Sequence, residues 1–176
     1  FYHTQLIPIM PTLSLDSVYL AYFASHIPIT MAVDLMPLLP TRLIPQPLLA
    51  LNAFLTNTLG DPLMLIGHTR TDLTWFRALL ACELVLQLPF FFYAVWALWN
   101  SCPRRHLPLL VYGVHVSTTM APVLGTLAFG DIDRSRNERL ALGAMYLPYL
   151  LVPLIMAARS FAECSRMFAS RVKKTE

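Results

Sequence analysis

What most constrains this chain is a set of four apolar runs, residues 17–36, 75–99, 107–129 and 140–158. Each is about as long as the 20 helical residues needed to cross a hydrocarbon core. In lipid, backbone N–H and C=O groups must be satisfied inside the segment or by its neighbours, which leaves helices as the solution for isolated runs of this length. With 56% hydrophobic and only 13% charged residues in 176, the chain is too apolar for an ordinary soluble domain. The reading is therefore an all-α membrane protein, a four-transmembrane-helix bundle with proline-kinked helices. Prolines fall inside every run, at Pro28, Pro89, Pro122 and Pro148/Pro153, and kinks there would open a cavity that straight helices close. The bundle takes residues 16–160; residues 1–15 read as an irregular lead-in and 161–176 as a basic cytosolic tail.

Several functional classes are excluded on the same grounds. The net charge is +3, but lysines and arginines sit at the ends of the apolar runs and form no surface stripe, so a nucleic-acid role is not expected. Cys82, Cys102 and Cys164 form no CxxC or Cys/His ligand pattern, so no metal site and no disulfide framework are expected, and no cofactor motif is present. Residues 1–15 lack the charged-then-apolar plan of a signal peptide. Asp16 and Ser17 offer an N-cap to the first span, and residues 48–59 a short interfacial helix. Gly60-Asp61-Pro62 reads as a turn in which Asp61 is structural. Trp75 opens the second span and Trp96 and Trp99 close it, as interfacial anchors.

The chemistry lies in polar groups inside these runs. In residues 19–34, YLAYFASHIPITMAVD, a helix places Tyr19, Tyr22, His26, Thr30 and Asp34 within an arc of about 120°. Pro28 leaves the Ala24 carbonyl without its helical partner, close to His26. The second run buries Glu83 and Gln87 one turn apart, the third Tyr112, His115 and Thr119, and the fourth Tyr146 and Tyr149. Antiparallel spans bring Asp34, Glu83, Thr119, Tyr146 and Tyr149 into one half of the bilayer. Intramembrane carboxyls are costly and face a partner or a cavity. Two in one dry pocket do not both stay ionised, so one anion hydrogen-bonded to one acid is expected. Flanked by tyrosines, that pair suits a lipophilic cation or a carbocation-like centre. On the third run Gly113, Ser117, Ala121 and Gly125 form a small-residue stripe for helix contact, between two subunits or within one bundle.

These residues also carry a resemblance. SHIPITMAVDLMPLLP (25–40), GDPLM (60–64), CELVLQLPFFF (82–92), VYGVHVSTTMAP (111–122) and ERLALGAMYLPYLLVP (138–153) resemble the sigma-2 receptor family. That family belongs to the EXPERA superfamily, together with the sterol Δ8-Δ7 isomerase, emopamil-binding protein. The resemblance implies a four-helix endoplasmic reticulum protein, often a homodimer through its third helix, that binds sterols and amphiphilic amines in an occluded pocket. It implies that Asp34 pairs with a ligand ammonium, that Glu83 supports Asp34, and that Gln87, His26, Thr119, Tyr146 and Tyr149 line the pocket. Asp61 matches a second aspartate needed for binding in a structural way. The resemblance also implies a partnership with another sterol-transport membrane protein.

One departure bears on catalysis. The isomerase carries His-x-x-x-Glu in its first helix, whereas here the residue four after His26 is Thr30 and the acid comes at Asp34. A carboxylate displaced by one turn moves about 5–6 Å, too far for an acid and base set at fixed reach. Binding or transport in sterol homeostasis is thus preferred, with isomerisation through Glu83 and His26 as the alternative. Lys173 and Lys174, third and fourth from the end of this sequence, resemble a dilysine retrieval signal and imply cytosolic N- and C-termini. Charge asymmetry hardly decides orientation. Seven Lys/Arg (104, 105, 159, 166, 171, 173, 174) lie on one side and six (42, 70, 77, 134, 136, 139) on the other.

Overall fold

The computed structural model describes residues 14–64 and 73–175, so the lead-in before Ser14, Arg70 and Glu176 lie outside the described residues. Among them there is no strand. Helices are α1 (Leu15–Ile29), α2 (Gln46–Phe54), α3 (Thr74–Cys82), α4 (Leu88–Trp99), α5 (His106–Phe129) and α6 (Arg136–Thr175). They build four spanning segments, Leu15–Leu38, Thr74–Trp99, Pro103–Phe129 and Arg136–Ser170. The first three match the expected runs to within a few residues; the fourth is longer at both ends. Its helix runs on through residues 161–175, so the expected tail begins as a continuation of α6.

The first helix starts earlier than Asp16. Ser14 is the N-cap, its hydroxyl accepting the Ser17 N–H at 3.2 Å. Asp16 instead faces inward, accepting from Arg105 at 2.8 Å and Arg159 at 2.6 Å. One carboxylate thereby ties the beginnings of α1 and α5 to α6. At the opposite end α6 opens with a capping box. The Ser135 N–H donates to Glu138 at 2.8 Å while the Ser135 hydroxyl takes the Glu138 N–H at 3.4 Å. Arg139 gathers the preceding loop by donating to the carbonyls of Gly130 at 2.9 Å and Ile132 at 2.7 Å.

The spans pair, α1 against α4 and α5 along α6. Between the pairs lies a core of Phe23, Phe91, Leu109, Leu127 and Met156, all essentially inaccessible. Gly113 explains how closely α5 and α6 approach, because a Cβ there would stand 2.6 Å from the Pro153 carbonyl oxygen. Of the two contacts open to the small-residue stripe, between subunits or within one bundle, Gly113 makes the second, against α6 of its own chain. The rest of the stripe diverges, Ser117 being half-buried, Ala121 exposed, and Gly125 having open space where a side chain would begin.

The prolines also act unequally. Pro122, Pro148 and Pro153 lie within helices that continue past them. In the first two spans the ladder changes instead. Pro28 is followed at once by a π-helical turn, Thr30–Asp34, and Pro89 is preceded by another, Glu83–Gln87. Each is closed by an i→i−5 bond, Leu35 N–H to Thr30 at 3.1 Å and Leu88 N–H to Glu83. Pro89 accounts for the second of these, because its ring crowds the carbonyl four residues earlier, inside Glu83–Gln87; Pro28 disturbs the turn before it, and the Thr30–Asp34 turn follows.

Candidate functional site

The π-turns of the first two spans each carry an acid, and both open onto one cavity of about 270 Å³. Asp34, Glu83, Gln87, His26, Thr119, Tyr146, Tyr149 and Tyr112, the eight residues expected to bind a ligand, all line it. Pro28 does not; it acts one turn away, through the backbone. His115, placed along the same polar path, also lies outside the lining, 3.5 Å from the Gln87 amide. Apolar residues complete the wall, Ile29, Val33, Phe76, Leu80, Val116 and Val123 among them. Met145 lines the cavity and is 38% exposed.

At the acid pole the sequence reading missed the central group. Thr30 is fully buried, and its hydroxyl lies 2.7 Å from Glu83 Oε1 and 3.2 Å from Asp34 Oδ2. The helical arc had placed Thr30 on the polar face, but no spacing rule links it to a residue 53 positions later.

Aromatic and imidazole groups form the other flank. The Tyr22 and Tyr112 hydroxyls meet at 3.2 Å. The Tyr22 ring lies over His26 at 4.2 Å between centroids, and Tyr149 stands edge-on to His26 at 4.9 Å. His26 Nδ1 is 2.9 Å from the Tyr22 carbonyl, which can only accept; Nδ1 therefore carries the proton and Nε2 is left as the acceptor of the neutral ring. Thr119 donates back to the Val116 carbonyl at 3.0 Å and keeps its lone pairs for the cavity.

Asp61 reaches the cavity from the loop after α2. Gly60 sits at φ 67°, a left-handed conformation suited to glycine, and turns the chain into Asp61. Asp61 then accepts the Leu63 N–H at 2.9 Å and the Tyr146 hydroxyl at 2.6 Å. Burial pushes its carboxyl up from the usual aspartate range, opposed by those hydrogen bonds. Asn52, also buried, fastens α2 to the same turn through the Met64 carbonyl at 3.0 Å. Asp61 thus holds the loop and Tyr146 together while presenting polar surface inward. Among the described residues no group of three His, Cys, Asp or Glu stands close enough to hold a metal ion.

Residues 47–160 match the EXPERA (EXPanded EBP superfamily) family. The chain is 39% identical over 150 residues to sigma intracellular receptor 2 of Xenopus tropicalis, covering 81% of this chain and 85% of that one. To the Homo sapiens protein of the same name it is 39% identical over 146 residues, 77% of this chain and 80% of the relative. It is 31% identical over 155 residues to efficient mitochondria targeting-associated protein 19 of Schizosaccharomyces pombe, 84% of this chain and 76% of the other.

Proposed function

Because the chain belongs to the EXPERA superfamily, in the family of the sigma-2 receptors, we propose that it binds sterols and lipophilic cationic amines in the intramembrane cavity and serves sterol and lipid homeostasis or transport. The observation that carries this reading is the acid pair at one pole of a cavity otherwise walled by apolar and aromatic side chains. A ligand with a rigid apolar body and one ammonium or hydroxyl head has a counterpart for each part. Asp34 is the group that meets the ammonium, Glu83 supports it, and Tyr22, Tyr112 and Tyr149 supply ring faces. The reading includes residence in the endoplasmic reticulum membrane with cytosolic termini. It also includes a homodimer and an association with another sterol-handling membrane protein, for which Ala121 and Gly125 keep the open part of the small-residue stripe.

Mass spectrometry of lipid extracted from the purified protein tests the proposal. A stoichiometric sterol, displaced by a cationic amphiphile, is expected; bulk phospholipid alone, unaffected by the amphiphile, overturns it.

Isomerisation keeps one specific observation in its favour, since His26, its Nδ1 turned to the Tyr22 carbonyl, and Glu83 line the same cavity. Incubation with a Δ8-sterol in deuterated water distinguishes the two readings. Deuterium in a shifted product supports the enzyme, and unlabelled, unchanged sterol removes it.

A further inference from the structure

The connection that leaves the first span is folded inside out. Its helix α2 runs into a π-turn, Leu55–Leu59, and then through Gly60 to Met64. The buried residue of α2 is polar: Asn52 is 5% exposed and donates to the Met64 carbonyl, and Thr56 on the same side donates to the Asn52 carbonyl at 2.9 Å. The large apolar groups point the other way. Phe54 is 57% exposed, Leu43 just before the helix 64%, and Leu51 is exposed as well. A helix packed on a bundle in water shows the reverse polarity.

The segment also lies within the depth of the spans. Asp61 accepts from Tyr146, which stands two turns of α6, about 10 Å, farther into the span than Arg139. Leu147, beside Tyr146 at that depth, belongs to the exposed apolar surface of α6. The outward groups of α2 thus sit at the level where the spans meet lipid. On its inner side the same segment is cavity wall, through Leu55, Asp61 and Met64. It is held from outside the cavity at its glycine bend, where Arg134 of the α5–α6 loop donates from Nε to the Gly60 carbonyl at 2.8 Å.

We propose that residues 43–64 form a lid embedded in the bilayer leaflet: hydrocarbon chains cover Leu43, Leu51 and Phe54, and release of Gly60 by Arg134 opens the cavity to that leaflet. The passage of a ligand rests on the function proposed above; the position of α2 in lipid does not. The empty closed cavity and the closed cavity with ligand both keep the Arg134 bond. Removing it therefore lowers the barrier between them and leaves the equilibrium in place, because an interaction equal in two states shifts neither.

Two measurements on the full chain in phospholipid bilayers test this. A nitroxide at Phe54→Cys, with Cys82, Cys102 and Cys164 replaced by serine, is exposed to oxygen, which partitions into hydrocarbon, and to a water-soluble nickel chelate. Relaxation by oxygen and not by nickel is expected, as for the same label at Leu147→Cys. Relaxation by nickel places α2 in water, and relaxation by neither places it under protein, a second copy included; either result overturns the embedding. Next, association and dissociation rates of a tritiated lipophilic amine are compared in wild type, Arg134→Met and Arg134→Lys. Both rates should rise about tenfold in Arg134→Met with Kd within about twofold of wild type, and Arg134→Lys, which keeps a donor, should fall between. Should Arg134→Met fail to fold, Arg134→Lys carries the same test with a smaller rise. Unchanged rates overturn the lid, and so does faster dissociation alone, which marks a loss of affinity. Absence of binding to wild type overturns the proposed function and the passage of ligand with it, while the oxygen result stands on its own.

Discussion

The two halves of the bundle treat proline in opposite ways. In α5 and α6 the ladder runs past Pro122, Pro148 and Pro153, and the helices close to backbone contact at Gly113. In the first two spans Pro28 and Pro89 adjoin π-turns, and those turns hold Asp34 and Glu83. Proline alone therefore does not open the bundle. Where two spans each insert a wide turn at matching depth, room for polar groups appears between them, and the uninterrupted pair behind forms a fixed wall.

The largest effect should come from the regular half. Gly113→Leu drives a side chain into the Pro153 carbonyl and the Ala157 backbone, and unfolding in detergent should show a loss of about 3 kcal/mol. Gly125→Leu, with open space around it, should change stability by less than about 0.5 kcal/mol. Equal losses at both positions would remove the close-packed pair from the account.

Next is the polar stay beneath the cavity. Tyr146→Phe leaves Asp61 short of one partner and should cost about 1–2 kcal/mol by the same measurement. The pH dependence has a definite sign. Because folding raises the affinity of Asp61 for its proton, its contribution to stability is complete in acid below the ordinary aspartate range and is lost as pH rises through the raised value. Asp61→Asn should flatten that part of the profile.

A smaller effect is expected where Asp16 joins both halves. Asp16, Arg105 and Arg159 are partly exposed, so Asp16→Asn should cost about 1 kcal/mol or less, with the wild-type advantage reduced in high salt.

Hydrophobic runs made the four spans legible, because length and apolarity are properties of single segments. The eight cavity residues were legible for a related reason: polar groups in a lipid-like helix must point inward, and antiparallel order sets their depth. What the sequence left hidden depends on pairs of segments or on the backbone. Thr30 looked like the mere absence of an acid until Glu83 stood beside it. Gly113 matched a contact motif whose partner, Pro153 of the same chain, no local pattern names. The π-turns have no periodic signature, and Asp16 resembled a cap because the arginines that take it lie far along the chain.

The central claim is that the broken half of the bundle forms a site for a single positive charge on a lipophilic body. It is tested most directly by the affinities of a quaternary ammonium amphiphile and its neutral carbon isostere for wild type and Asp34→Asn. The account predicts that wild type prefers the cation by at least about tenfold, or about 1.4 kcal/mol, and that Asp34→Asn loses this preference while binding the neutral compound within about twofold of wild type. An unchanged preference for the cation in Asp34→Asn would contradict it.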